Sequence, residues 1–196
     1  MAATVETSSR RHGAFAFVDF RNLWWVGGAL ALMFASFASD SFWFLNFVHV
    51  MAGLMWTGID LFMGFVIGPI QRRMDITARR QLVTRLMPRM LFLMPTLATI
   101  TGWAGTTLAS RMGFFNLPYP QKYWVIAALA VLALLTVQGF VVLLPTSLRV
   151  CIEIAKDEPD HEMISRRMRR YVYVTAMQGL MQVAMIVIMA RFATGM

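Results

Sequence analysis

This sequence is poor in charge. Of its 196 residues, 14% are Asp, Glu, Lys or Arg and 58% are hydrophobic. A soluble domain carries roughly a quarter charged residues, so the composition excludes an ordinary soluble globular domain. Cysteine is all but missing. Cys151 stands alone, which excludes an intramolecular disulfide, and it reads best as an inert small apolar residue. No Cys/His cluster, phosphate-binding loop, Ser–His–Asp set or His-Glu-x-x-His motif stands out, so the common metal, nucleotide and hydrolase chemistries have no foothold. Neither an internal nor an inverted repeat is evident, which counts against a transporter built from two halves.

What the chain does have is long apolar runs. Residues 23–39, 42–70, 90–110, 123–146 and 171–190 meet or approach the roughly 20 apolar residues that cross a hydrocarbon layer. The expected fold is all-α: an integral membrane helical bundle with a four-helix core, residues 42–192, and one extra N-terminal transmembrane helix, residues 23–39. Residues 1–22 form a polar tail. Ala35-Ser36-Phe37-Ala38-Ser39 resembles a small-residue cleavage site, but an uncleaved anchor helix is expected. Cleavage would leave four spans with the same topology.

The net charge is +8, and its placement matters more than its size. Fifteen of the 18 Lys and Arg fall in three segments: the first 21 residues, the loop 71–89 and the segment 147–170. Only Arg111, Lys122 and Arg191 lie elsewhere. The positive-inside rule then puts the N-terminus and both basic loops in the cytoplasm and the C-terminus outside. The location expected is the bacterial inner (plasma) membrane, crossed several times. Because the loops account for the excess of positive charge, no nucleic-acid partner is expected. The loop 71–89 is read as a short amphipathic surface helix. Gly68-Pro69 marks the inner end of the second span, Pro95 kinks the third, and Glu158-Pro159-Asp160 forms a turn.

Ionisable groups are costly in lipid and call for a reason. Two lie well inside the spans, His49 and Asp60, both on the second. His49, Gly53, Trp56 and Asp60 step by four, three and four, so they share one helical face. Gly53 leaves room one turn from His49 for a planar ligand against the backbone. Such a histidine can bind haem iron through a ring nitrogen. The plainer alternative is a neutral His hydrogen-bonded to a neighbouring helix. On the fifth span Tyr171, Thr175, Gln178, Gln182, Met185 and Met189 form a second stripe, and the third span adds Thr96, Thr99, Trp103 and Thr106. Rise per residue sets two layers: an outer one of His49 and Met185, and an inner one of Asp60, Gln138, Gln178 and Gln182. Threonines and glutamines in spans are usually interhelical glue, worth ~0.6 kcal/mol each. Asp60 is either a proton-relay carboxylate or a neutral acid donating to a glutamine. The 17 methionines raise a copper reading, but their scatter points to packing.

The second span reads Phe44-Leu45-Asn46-Phe47-Val48-His49, with Trp56 and Gly58 following. This His-x6-Trp-x-Gly pattern resembles the first helix of a superfamily of small four-helix membrane proteins. The superfamily includes the HemJ-type protoporphyrinogen oxidases and the membrane domain of the copper-resistance protein CopD. The urate oxidase with a membrane-embedded N-terminal part has a similar opening helix. Arg89-Met90-Leu91-Phe92 leading to Pro95 and Gly102-Trp103 is similar to the second helix of the HemJ type. Tyr123-Trp124 running to Gln138 is similar to its third, and Arg169-Arg170 leading to Gln178 to its fourth. The resemblance spans residues 42–192. It implies a b-type haem on His49, an axial ligand in the haem-binding members, and a redox or electron-transfer role with a membrane or periplasmic redox partner. HemJ-type enzymes carry a His and a Lys in the third helix, where this chain has Ile126, Ala127 and Ala128, so the resemblance does not extend to protoporphyrinogen oxidation. No second His lies in any span, so a haem would be five-coordinate or ligated by His49 and Met185. The competing expectations are a non-catalytic accessory subunit without cofactor and a copper or small-solute permease using the Asp60 layer. In the accessory reading Gly64 and Gly68, a small-xxx-small pair, make a helix–helix contact. The lipid bilayer is an expected partner, and a second copy of the chain is a further candidate.

Overall fold

The computed structural model describes residues 23–156 and 158–194. The polar tail, with Arg10, Arg11 and Arg21, lies outside the described residues. Among these residues there is no strand, and five long helices follow one another: α1 (Trp24–Ala38), α2 (Phe42–Arg73), α3 (Ile76–Arg111), α4 (Lys122–Ile154) and α5 (His161–Ala193). Three of them, α2, α4 and α5, are long and apolar enough to cross a membrane. α3 is 36 residues long, but basic residues crowd its first turns and threonine and glycine dilute its apolar stretch. α1 has 15 residues, fewer than the ~20 of a full span.

The outward faces explain why such helices need lipid. Leu54, Phe62, Val137, Val141, Ile186 and Val187 are all exposed. In water they would form an apolar surface far larger than a soluble monomer tolerates. The chain is a helical membrane protein.

α2 packs against α3 and α5, α4 packs against α3 and α5, and α1 lies against α2 and α3. The interior is stacked in three clusters. Leu45, Ala104 and Leu108 form one end. Val48, Ala52, Trp56, Leu97, Ile100 and Leu135 fill the middle, where Met33 of α1 also enters. Met63, Met87, Leu91, Leu143, Val150 and Tyr171 belong to the third cluster, at the arginine-rich end. Cys151 is fully buried there, as its apolar character requires.

Several boundaries differ from the expectations drawn from sequence. Pro69 does not end α2. The helix widens into a π-turn over Phe62–Ile67 and continues from Gly68 to Arg73. Proline lacks an N–H and crowds the carbonyl four residues back, and a π-turn just ahead of it takes up that mismatch within a continuous helix. The loop 71–89 holds no separate surface helix. From Ile76 onward it is the beginning of α3, which runs unbroken through Pro88 and Pro95. Likewise the basic residues of 161–170 are the first turns of α5.

One local feature of α2 recurs in α4. α4 has its own π-turn, Gln138–Leu143, followed by Pro145. The two π-turns contain Gly64-Phe65-Val66-Ile67 and Gly139-Phe140-Val141-Val142. Each helix then leads to a partner that opens on an aspartate cap and a basic first few turns. Asp75 accepts from Ala78 N and Asp160 from Met163 N, both at 2.9 Å. The hairpins α2–α3 and α4–α5 thus share a π-turn ahead of a proline and an aspartate cap on the helix that follows.

The turn from α2 to α3 is held by one side chain. Arg79 donates from Nε to Gln71 O at 2.8 Å and from Nη2 to Met74 O at 3.1 Å. These are carbonyls at the end of α2 that have no helical partner. Arg79→Ala is expected to lower stability by ~1–3 kcal/mol, read as a lower thermal midpoint in detergent. Arg79→Lys should recover only part, since an ammonium cannot span the two carbonyls as the guanidinium fork does.

Candidate functional site: a buried carboxyl and a half-buried histidine

Asp60 is completely buried, in the last turn of α2 before the π-turn. Its partners come from α5. Gln178 Nε2 and Gln182 Nε2 both donate to Asp60 Oδ2, each at 3.0 Å. The other oxygen, Oδ1, has no hydrogen-bond partner, and neither do Gln178 Oε1, Gln182 Oε1 and Thr175 Oγ1. All four residues are at least 97% buried. The indole of Trp56, one turn before Asp60, faces the same carboxyl, but its Nε1 falls outside hydrogen-bond geometry. None of the ion pairs among the described residues involves Asp60.

Glycines on α2 and α5 make this approach possible. A Cβ on Gly64 would lie 2.6 Å from Ala176 Cα, and one on Gly179 would lie 2.9 Å from Leu61 Cδ2. Gly68 presses in the same way on Val172. The small-xxx-small pair is therefore a contact within the chain. Each step of four along α2, from Asp60 to Gly64 to Gly68, moves back along α5 from the two glutamines to Ala176 to Val172.

Extended outward at the same pace, that register points Met185 toward residue 55, roughly 9 Å from the level of His49 at 1.5 Å per residue. Gln138 leaves the inner layer. Its Nε2 donates to Val174 O of α5 at 2.9 Å, clear of the carboxyl.

His49 turns to α3. Its Nδ1–H donates to the carbonyl of Thr101 at 2.9 Å, since a carbonyl can only accept. That fixes the tautomer and leaves the lone pair on Nε2. The ring edge rests on Gly105, where a Cβ would come within 2.6 Å of Cε1. The open space expected over Gly53 is absent, because a Cβ there would meet Thr101 Cγ2 at 3.3 Å. Thr101 and Gly105 went unremarked in the sequence, where a carbonyl acceptor leaves no residue-type signal. The threonines that were singled out serve their own helix instead. Thr96 bonds Phe92 O, and Thr106 bonds Gly102 O and Trp103 O. Trp103 rests against Phe34 and Phe37 of α1.

A cavity of about 30 Å³ lies between α2, α3, α4 and α5. That clears the ~10–15 Å³ a cavity needs to admit a water. Trp56 and Gln178 line one part of it, and Ser147 and Tyr171 line another. The Tyr171 hydroxyl faces the side chains of Ser147 and Thr175. The cavity thus extends from the Asp60 cluster toward the arginine-rich end. Ser147 is a further residue that sequence reasoning passed over, since a lone serine near a span end is unremarkable. No group of three His, Cys, Asp or Glu side chains suited to a metal ion occurs among the described residues. Comparison with known protein families, with curated proteins and with solved structures finds no match to this chain.

Proposed function

We propose that this is a small redox or electron-transfer protein of the bacterial inner membrane that binds one b-type haem through His49. In this reading α2 to α5 form a four-helix membrane core and α1 adds a fifth span. The basic turns between α2 and α3 and between α4 and α5 face the cytoplasm. The observation that carries the haem reading is the hydrogen bond from His49 Nδ1–H to Thr101 O. Metal-ligating histidines characteristically donate their second ring nitrogen to a carbonyl or carboxylate, which orients the ring and raises its basicity. His49 would hold the group through its free Nε2, with Met185 as the proposed second ligand. A haem bound there supplies one-electron chemistry. The chain's own contribution is the orientation that Thr101 and Gly105 impose on the ring. The redox partner is then a membrane or periplasmic protein.

His49→Ala is expected to abolish a Soret band of the purified, haem-supplemented protein while the helical circular dichroism remains. Wild-type protein without any Soret band after haem supplementation refutes the reading. A second reading has its own support. Thr101 closes over Gly53 and Gly105 packs on the imidazole, as expected if His49 merely joins α2 to α3 in a cofactor-free accessory subunit. His49→Ala then lowers the thermal midpoint and changes no absorbance.

A further inference from the structure

The hydrogen bonds around Asp60 are distributed unevenly, and the unevenness identifies a protonation state. Two amide N–H groups converge on Oδ2 and none reaches Oδ1. An ionised carboxylate shares its charge over both oxygens and accepts through both. To leave one of them bare inside a membrane protein, with no cation beside it, is very costly. A neutral acid has the observed pattern: a carbonyl oxygen that uses both lone pairs, and a hydroxyl oxygen that needs no donor. Gln178 Oε1 and Gln182 Oε1, on the two side chains bonded to Asp60, are also without a donor, so acceptors are in surplus on these three side chains.

The same cluster holds one spare donor. Trp56 Nε1–H faces the carboxyl and has no partner. A buried donor left idle in one state is free to serve in another. Beside it lies the water-sized cavity, which Ser147 and Tyr171 also line.

We infer that Asp60 is an exchangeable proton site, neutral at rest with its proton on Oδ1, which releases that proton through the cavity toward the arginine-rich end of the bundle. In the release step the O–H bond at Oδ1 breaks and its electron pair stays on the carboxylate. The proton passes to a cavity water and leaves by way of the hydroxyls of Tyr171 and Ser147 to the aqueous phase. Trp56 Nε1–H then donates to the bared Oδ1, and Gln178 and Gln182 hold Oδ2 throughout. Few other charges bear on the step. Only apolar side chains of α3 face the cavity, and Ser147 is the polar one from α4. From α5 the titratable group is Tyr171, with Cys151 of α4 beside it. The inference is independent of the haem.

Infrared spectroscopy of the protein in nanodiscs, with and without 13C-labelled aspartate, tests it. The expected result at neutral pH is a protonated-carboxyl C=O band that shifts with the label and is missing from Asp60→Asn. If that variant does not fold, a change of the labelled band in Trp56→Phe assigns it to Asp60. The band should disappear at alkaline pH and return on acidification. In Trp56→Phe, which lacks the spare donor, it should persist to a more alkaline pH. Three results overturn the inference. One is the absence of any labelled band at neutral pH. Another is a band that no pH removes, the mark of a fixed structural acid. The third is a band that appears only when sodium is withdrawn, which would make the site one for a metal cation.

Discussion

Gly64→Leu is expected to be the most damaging single substitution in the chain, separating α2 from α5. The atoms a side chain at residue 64 would strike are Cα, Cβ and N of Ala176, at 2.6, 2.6 and 3.0 Å. These belong to a helix backbone, which cannot swing aside as the end of a flexible side chain can. Overpacking typically costs ~1–3 kcal/mol, and contact with backbone belongs at or above the top of that range. The same displacement would pull the two glutamines off Asp60, since they lie on α5 within two turns of Ala176. The measurement is the thermal midpoint and monodisperse yield in detergent, beside two controls. Gly58 and Gly139 have nothing within 4 Å of a built Cβ. Gly58→Ala and Gly139→Ala should therefore be neutral or gain up to ~1 kcal/mol from helix propensity. Equal losses at all three positions would mean that glycine serves the helices' own backbones and not the contact between them.

Asp60 supplies the second large effect, and here the replacement chosen decides the outcome. Asp60→Leu leaves the amide groups of Gln178 and Gln182 buried with no acceptor. Each unsatisfied donor costs ~1–3 kcal/mol, so the pair implies a loss of ~2–6 kcal/mol, easily seen in thermal unfolding. Asp60→Asn should be nearly neutral. Asparagine is the uncharged isostere of a protonated aspartate, so its carbonyl can take the same two N–H groups, and its amide can donate where Oδ1–H did. A carboxylate ionised in the fold would give a different ranking. Asn would then strengthen the fold clearly by removing a buried charge. Near-equality of Asp and Asn, with Leu far below both, is the pattern that a neutral acid requires.

Parts of this arrangement were open to the sequence and parts were not. The stripe of Gln178 and Gln182 followed from steps of three and four, because helical periodicity converts spacing directly into direction. The face shared by His49 and Asp60 followed in the same way. Which face meets which is another matter. Periodicity within one helix contains no information about the axial offset of its neighbour. That offset is why Gln138 serves the Val174 carbonyl and not the carboxyl. Thr101 escaped notice because its contribution to His49 is a backbone carbonyl, a group every residue has.

The sequence by itself determined the class of the molecule. Scarcity of charge, long apolar runs and arginines gathered at their ends dictate a helical membrane protein, since in lipid every backbone hydrogen bond must close within its own helix. It also determined that His49 and Asp60 are the groups needing an explanation, because burying ionisable side chains carries a cost that few positions sustain. Only the tertiary structure decided what they do there. Close contact at Gly64, Gly68 and Gly179 sets α5 in the one register that brings two glutamines to one oxygen of Asp60 and leaves the other oxygen bare. That choice is made by steric fit between backbones, and neither composition nor periodicity records it.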